Sequence, residues 1–249
     1  MQVRELWRYP VKSMGGEKLD ELTVGSLGAE GDRAYGVLDL ESGTVLSAKR
    51  EGRLLSASAR LVSSEPVVNV KGRDYDPGPA LDEVLTRWLG RDSRLVDASL
   101  AGRVSFQSPS SFEDDDSPLQ SWESSEGAFF DSSPLHLVTT GDLERLARER
   151  ADLSWDVRRF RPNVVVEGDV ESRREWVSGQ RLHLGGVEVE VLKPCQRCVM
   201  TTRAQGDQLV RELEVLRHVA AQHDSNVGVL VRITHTGVVQ RRDPVRLAW

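Results

Sequence analysis

Residues 181–191 constrain the fold more than any other stretch. Arg181-Leu182-His183-Leu184 alternates polar and apolar, Gly185-Gly186 follows, and Val187, Val189 and Val191 then alternate with Glu188 and Glu190. Period-two alternation puts apolar side chains on one face of a strand, and a two-glycine connection suits a tight hairpin. Such a hairpin needs a larger sheet or a packed layer to bury its valine face. The second strand runs into Lys193-Pro194-Cys195-Gln196-Arg197-Cys198, which holds both cysteines of the chain. Proline cannot donate to a ladder, so pairing is expected to end at Pro194. Both thiols are then expected on a loop leaving a rigid sheet, with Arg197 between them. An adjacent cation favours the thiolate, the form that binds metals and attacks electrophiles.

Four readings of this loop compete. Two small unreactive apolar residues are one. A redox pair of the thioredoxin type needs a strand–helix context, and Val199, Thr201 and Thr202 start a helix poorly. A zinc site would recruit His218 and His223, but the separation from Cys198 exceeds the ~12–15 residues usual in zinc fingers. These histidines, five apart near the end of an amphipathic stretch, are also not expected to face one site from a regular helix. The fourth reading is one cysteine thiolate on a soft metal, in a loop that cradles a cofactor.

Pro194-Cys195-Gln196-Arg197-Cys198 followed by Thr201-Thr202 resembles the cysteine loop of MOSC-domain proteins, which include the amidoxime-reducing component family. Three further blocks fit in the same order: Tyr9-Pro10-Val11-Lys12-Ser13, Gly31-Asp32-Arg33, and Arg159-Phe160-Arg161-Pro162-Asn163-Val164-Val165-Val166. Together they span nearly the whole chain. One departure stands near the C-terminus. Where many relatives read Gly-x-Val-x-x-Gly-Asp-x-Val, this chain has Arg242 in place of the second glycine, which is expected to change the turn.

Composition excludes several classes. The chain has 249 residues, 39% hydrophobic and 29% charged, in the range of a globular protein with one large or two modest domains. Its net charge of −6, with basic residues matched by acids along the chain, gives no nucleic-acid footprint. No apolar run approaches the ~20 residues of a membrane span. The N-terminus lacks the apolar core of a signal peptide, and two cysteines so close together cannot staple a fold, so a reduced cytoplasmic location is expected.

Along the chain, Val3 to Tyr9, Leu22 to Val24, and a run opened by Arg33 read as strands, the last buried on both sides. An arginine at the mouth of a buried strand needs an anion, and Asp32 or Glu30 is the plain candidate. Residues 54–62 and 66–70 read as further strands. Leu81, Val84, Leu85 and Trp88 mark a helix over residues 80–89, stopped by Gly90. Residues 108–127, rich in Ser, Asp, Glu and Pro, read as a mobile acidic loop or linker. A lid over the site or a docking surface is the lesser alternative there. A strand at residues 135–138 leads to a helix with Thr140 as its N-cap. Alternation in Arg159-Phe160-Arg161 sets both arginines on one face of an extended segment. Residues 207–222 read as an amphipathic helix, and Val227–Ile233 with Gly237–Gln240 as a closing hairpin.

Short strands with few helices predict a β-rich α+β protein. The resemblance implies an N-terminal β domain (residues 1–115) packed against a MOSC β-barrel domain (residues 116–249), with a molybdenum cofactor (Mo-molybdopterin) in the cleft between them. It implies that Lys12, Ser13 and Arg33 grip the cofactor from one side. Arg161, Asn163 and the cysteine loop with Arg197 would close from the other, with Thr139 and Thr140 as additional contacts. Cys198 would ligate molybdenum, with Cys195 supporting. The implied activity is two-electron oxygen removal from small N-hydroxylated substrates. No cysteine remains for an iron–sulfur domain, so electrons are expected from a separate reductase or ferredoxin-like partner. Rival expectations are a sulfur carrier or cofactor-binding module with a persulfide on Cys198, and a structural zinc site of Cys195, Cys198, His218 and His223.

Overall fold

The computed structural model describes residues 1–111, 116–169, 176–206 and 208–248. It is β-rich, as the short alternating runs predict. The Gly185-Gly186 hairpin joins Arg181–Leu184 to Val187–Gln196 in antiparallel register, Leu184 opposite Val187. It sits inside an eight-stranded sheet with Asn226–His235, Leu135–Thr139, Val164–Glu167 and Gln2–Arg8. The first strand of the chain therefore pairs with Val164–Glu167, far along the sequence. Glu21–Gly25 likewise pairs with Gly237–Gln240, which is thus no hairpin partner of Asn226–His235. The early strand offered an open edge, and the chain turns away from its neighbour to fill it.

One core lies between these two sheets. Val3, Leu6, Leu137, Val164, Val166, Val189 and Val191 from the large sheet meet Leu22, Val24 and Val239 from the small one. Leu135–Thr139 is buried on both faces. Val138 looks the other way, toward Leu146 and Val219 of helices Thr140–Glu149 and Leu213–His223. A second core belongs to the first half of the chain. There helix Pro79–Leu89 buries Leu81, Leu85 and Leu89 against Val37, Leu54, Val68 and Val70. Burying these apolar side chains, at roughly 25 cal/mol per Å² of surface removed from water, is the main drive for both layers.

Several expectations are corrected. Pairing does not stop at Pro194. The strand continues to Gln196, with Pro194 opposite Val229 and register shifts on either side, because a bulge tolerates the missing donor. Much of residues 108–127 is not a linker: Ser105–Pro109 and Leu119–Glu123 form an antiparallel hairpin, Pro109 opposite Leu119. Its acidic tip, Glu113 to Asp115, lies outside the described residues. The second helix of the C-terminal half begins at Leu213, with Glu212 accepting from the Glu214 N–H as N-cap. Asp207, the expected start, is also outside the described residues. Residues 159–161 do not form an extended segment. A short 3₁₀ turn, Val157–Arg159, precedes Arg161 at a φ of 53°. Arg242, where the resemblance places a glycine, holds a φ of 73°, so this position is left-handed without a glycine.

Candidate functional site

A cleft of about 620 Å³ opens where the two cores meet. Its described lining has seven lysines and arginines (Lys12, Arg33, Lys49, Arg159, Arg161, Lys193, Arg197) against one carboxylate, Asp131. In a chain of net charge −6 this concentration of cations is local, and it gives the cleft a positive potential that suits anions.

One wall comes from the first half. Lys12 follows the first strand and is only 5% exposed. Its Nζ donates to the Phe129 carbonyl at 2.8 Å and to Asp131 Oδ1 at 2.5 Å, and lies 3.8 Å from the centre of the Phe106 ring. Lys49 takes the other Asp131 oxygen at 2.9 Å. Burial pushes Lys12 down to about 8 although Asp131 opposes it. Burial alone would raise Asp131, but Lys12 and Lys49 hold it well below the usual carboxylate range. Ser13, at a φ of 68°, accepts the Ala48 N–H at 2.9 Å, which leaves its own proton to donate.

Arg33, Arg161 and Asn163 meet at the floor. Arg33 pairs with Asp32, as the plain expectation had it, and also donates to Asn163 Oδ1 and to the Arg161 carbonyl, each at 3.3 Å. Asn163 donates to the Trp7 carbonyl and accepts the His136 N–H, so it organises the floor. The Arg161 guanidinium lies 4.1 Å from the centre of the Tyr9 ring and donates from Nη1 to the Met14 carbonyl at 2.5 Å. Its Nη2 is buried with no hydrogen-bond partner among the described residues. Burial, reinforced by Arg33, pulls it down to about 10, still cationic at neutral pH.

The facing wall is the cysteine segment. Cys195 is 7% exposed and Cys198 half-buried, and both are free thiols. Arg197 donates to Cys195 Sγ at 2.9 Å and to the Phe160 carbonyl at 2.8 Å, so the cation expected between the thiols engages Cys195. Cys198 caps the 3₁₀ turn Val199–Thr202 with its backbone, and its thiol makes no capping bond. Thr201 and Thr202 donate to the Cys198 and Val199 carbonyls at 2.9 and 2.8 Å and pin that turn. Arg159 braces it from behind, donating to the carbonyls of Ser154, Thr201, Arg203 and Val210.

Of the expected site residues, the cleft collects Lys12, Ser13, Arg33, Arg161, Asn163, Arg197 and Cys198. Thr139 and Thr140 are not among its lining residues. Thr139, not Thr140, is the N-cap of helix Thr140–Glu149, in a capping box with Asp142, and its hydroxyl is spent there. Thr140 exchanges bonds with Gly168. The rival Cys₂His₂ zinc site is not assembled among the described residues. His218 and His223 both lie against Glu149, and among the described residues neither cysteine belongs to a cluster of three metal-ligating side chains.

Sequence reasoning missed Lys49, Asp131 and His136. The basic run Lys49-Arg50 and the Asp131-Ser132-Ser133-Pro134 turn carried weak signals. His136 had none, being one residue of an apolar strand. Burial, reinforced by Arg197, pushes His136 down to about 3, so it is neutral, and its Nε2 lies 3.1 Å from the Val227 carbonyl. Gly228 makes that contact possible: a Cβ there would fall 2.6 Å from His136 Nε2.

The fold and the cleft define a β-rich protein with a cationic receptor and a free thiol on its wall. The chain belongs to the MOSC-domain family. The MOSC domain model matches residues 124–246 and the MOSC N-terminal beta barrel domain model residues 1–120. It is 28% identical to mitochondrial amidoxime reducing component 2 of Rattus norvegicus and of Homo sapiens, over 80% of this chain and 66% of each relative. Mitochondrial amidoxime-reducing component 1 of Homo sapiens is also 28% identical, over 80% of this chain and 65% of the relative. The chain thus spans just under two thirds of these relatives. Among solved structures, the YUAD protein of Bacillus subtilis is similar at 10% identity and a TM-score of 0.46, covering 98% of this chain and 93% of that one. YiiM from Escherichia coli follows at 13% identity and a TM-score of 0.43, over 100% of this chain and 70% of that one. Among the described residues, no helix is long and apolar enough to cross a membrane.

Proposed function

We propose that this chain is a molybdenum-cofactor oxidoreductase that removes oxygen from small N-hydroxylated substrates, drawing electrons from a separate reductase or ferredoxin-like donor. The observation that carries the reading is the pairing, in one cationic cleft, of the unpartnered Arg161 Nη2 with the uncommitted Cys198 thiol. A buried guanidinium N–H without a partner is costly unless a ligand completes it. An anionic dithiolene-bearing pterin fits such a donor set. When bound, it supplies a metal centre capable of two-electron oxygen-atom chemistry.

The residues divide the work. Lys12, Ser13, Arg33 and Arg161 offer donors to the anionic part of the cofactor, and Arg197 adds charge beside the thiols. Cys198 offers a thiolate, which suits a soft metal. Cys195, held by Arg197, fixes the strand from which the turn leaves. The Thr201 and Thr202 bonds keep Cys198 in place, so its sulfur needs little reorganisation to ligate. Two free cysteines suit a reducing compartment, and the cytoplasm is the proposed location, in contrast to the mitochondrial amidoxime-reducing relatives.

The test is Cys198→Ser in a host that makes the cofactor. Turnover of N-hydroxylated compounds with an artificial donor should fall to background while the thermal midpoint stays unchanged. Retained turnover would remove Cys198 from the mechanism. Metal analysis comes first: near-stoichiometric molybdenum with releasable pterin supports the reading. Absence of molybdenum together with a persulfide on Cys198 would replace it with a sulfur carrier.

A further inference from the structure

His218 and His223 serve neither cysteine nor cleft. Leu216 and Ala220 of the same helix line the cleft, and His218, two residues from Leu216, is turned roughly 200° away from it around the axis. Both imidazoles instead converge on Glu149, the last residue of helix Thr140–Glu149. His218 Nε2 lies 2.9 Å and His223 Nε2 2.6 Å from the same carboxylate oxygen, Oε2. The five-residue spacing works because His223 is the last helical residue, before Asp224 turns left-handed at a φ of 49°. The side chains of His218 and His223 are 12% and 9% exposed, that of Glu149 32%.

From this convergence we infer that Glu149, His218 and His223 form a binding site for a divalent first-row metal ion, zinc being the best match. The three ligand atoms lie within 4.8 Å of one another. A tetrahedral zinc with bonds of ~2.0–2.1 Å needs ligand atoms about 3.3 Å apart, so small side-chain rotations suffice. Two imidazoles and a carboxylate are a donor set zinc takes with a fourth position open to water. Each ring then carries its proton on Nδ1.

The surroundings favour a cation for an independent reason. Two helices end at this point, and their C-terminal carbonyls place partial negative charge there. Asp152 adds a carboxylate facing His218, and Arg145 an opposing cation facing Glu149. Arg150 is occupied with Asp152 and Glu214. The ion would clip the ends of the two helices together behind the cleft, since Leu213–His223 also packs on the turn Val199–Thr202.

The test uses the full chain with Cys195 and Cys198 replaced by serine, so that thiols cannot bind the probe. Zinc titrated against a chromophoric chelator should bind one equivalent and raise the thermal midpoint. Cobalt at the same site should give a visible spectrum without a sulfur charge-transfer band. Loss of an outer partner alone commonly weakens a site ~10–100-fold, so H218Q, H223Q or E149Q should weaken zinc by at least about tenfold. E149Q keeps a hydrogen-bond acceptor and so separates metal loss from misfolding, with circular dichroism in chelator as the check. The proposal is overturned if the serine protein takes up no zinc in excess metal, which leaves two imidazoles donating to one carboxylate. Binding that survives all three substitutions overturns it equally.

Discussion

Arg159 and Arg161 stand two residues apart, both buried, and are used in opposite ways. Arg159 spends its guanidinium on four backbone carbonyls and ties the 3₁₀ turn before it to the turn after Cys198. Arg161 makes one short bond to Met14, stacks on Tyr9 and keeps Nη2 without a partner. A fully satisfied buried cation stabilises the fold it belongs to. One left incomplete costs stability and holds binding capacity in reserve. The contrast extends to other residues: Thr139 and Asn163 belong with Arg159 as framework, and the uncommitted Cys198 thiol belongs with Arg161.

The largest effect should separate the two arginines. Arg159→Met strands four carbonyls and should cost about 3 kcal/mol or more. That corresponds to a thermal midpoint lower by roughly 6–12 °C for a chain of this size. An unchanged melt would break the comparison. Arg161→Gln should do the reverse, with stability within about 1 kcal/mol of wild type. Its cofactor affinity should fall ~30–150-fold, since removing a buried charge partner costs about 2–3 kcal/mol of binding or more. Equal cofactor loading in this variant would place Arg161 with the framework.

Lys12 sharpens the division through pH. The unfolded chain holds this proton up to about 10.5 and the folded one releases it near 8. Between those values the unfolded state binds more protons, so Lys12's contribution to stability rises with pH and is lost as pH falls through 8. Anion affinity should move oppositely, weakening as pH rises through about 8. Midpoints and sulfate or phosphate affinities measured from pH 7 to 10 should show both trends in wild type. Lys12→Arg should flatten the affinity trend, and a wild-type affinity flat over that range would remove Lys12 from the binding wall. The smallest effect belongs to Thr139→Ala. Loss of its cap should cost about 1 kcal/mol, with cofactor content unchanged. Reduced cofactor at unchanged stability would return Thr139 to the site.

Much of this was legible before any coordinates. The Gly185-Gly186 hairpin, the helix near residue 80 and the β-rich class follow from local periodicity, which a short window of sequence carries. Lys12, Ser13, Arg33, Arg161 and Asn163, which line the cleft, could be singled out because their motifs are contiguous. Lys49, Asp131 and His136 were not, because each acts through a partner distant in sequence. The extended reading of residues 159–161 failed for a related reason: alternation of residue type cannot see that Arg159 is drawn to carbonyls of Thr201 and Val210.

The sequence by itself determined which residues carry charge or a thiol and where short strands begin. Only the tertiary structure decided which of them meet. Gln2–Arg8 and Glu21–Gly25 pair with strands from the second half, so the two halves share sheets. His218 and His223 turn from the cysteines to Glu149 because the end of one helix is packed beside the end of another. Strand pairing and side-chain convergence are set by burial of the valine faces, a property of the whole chain that no local stretch contains.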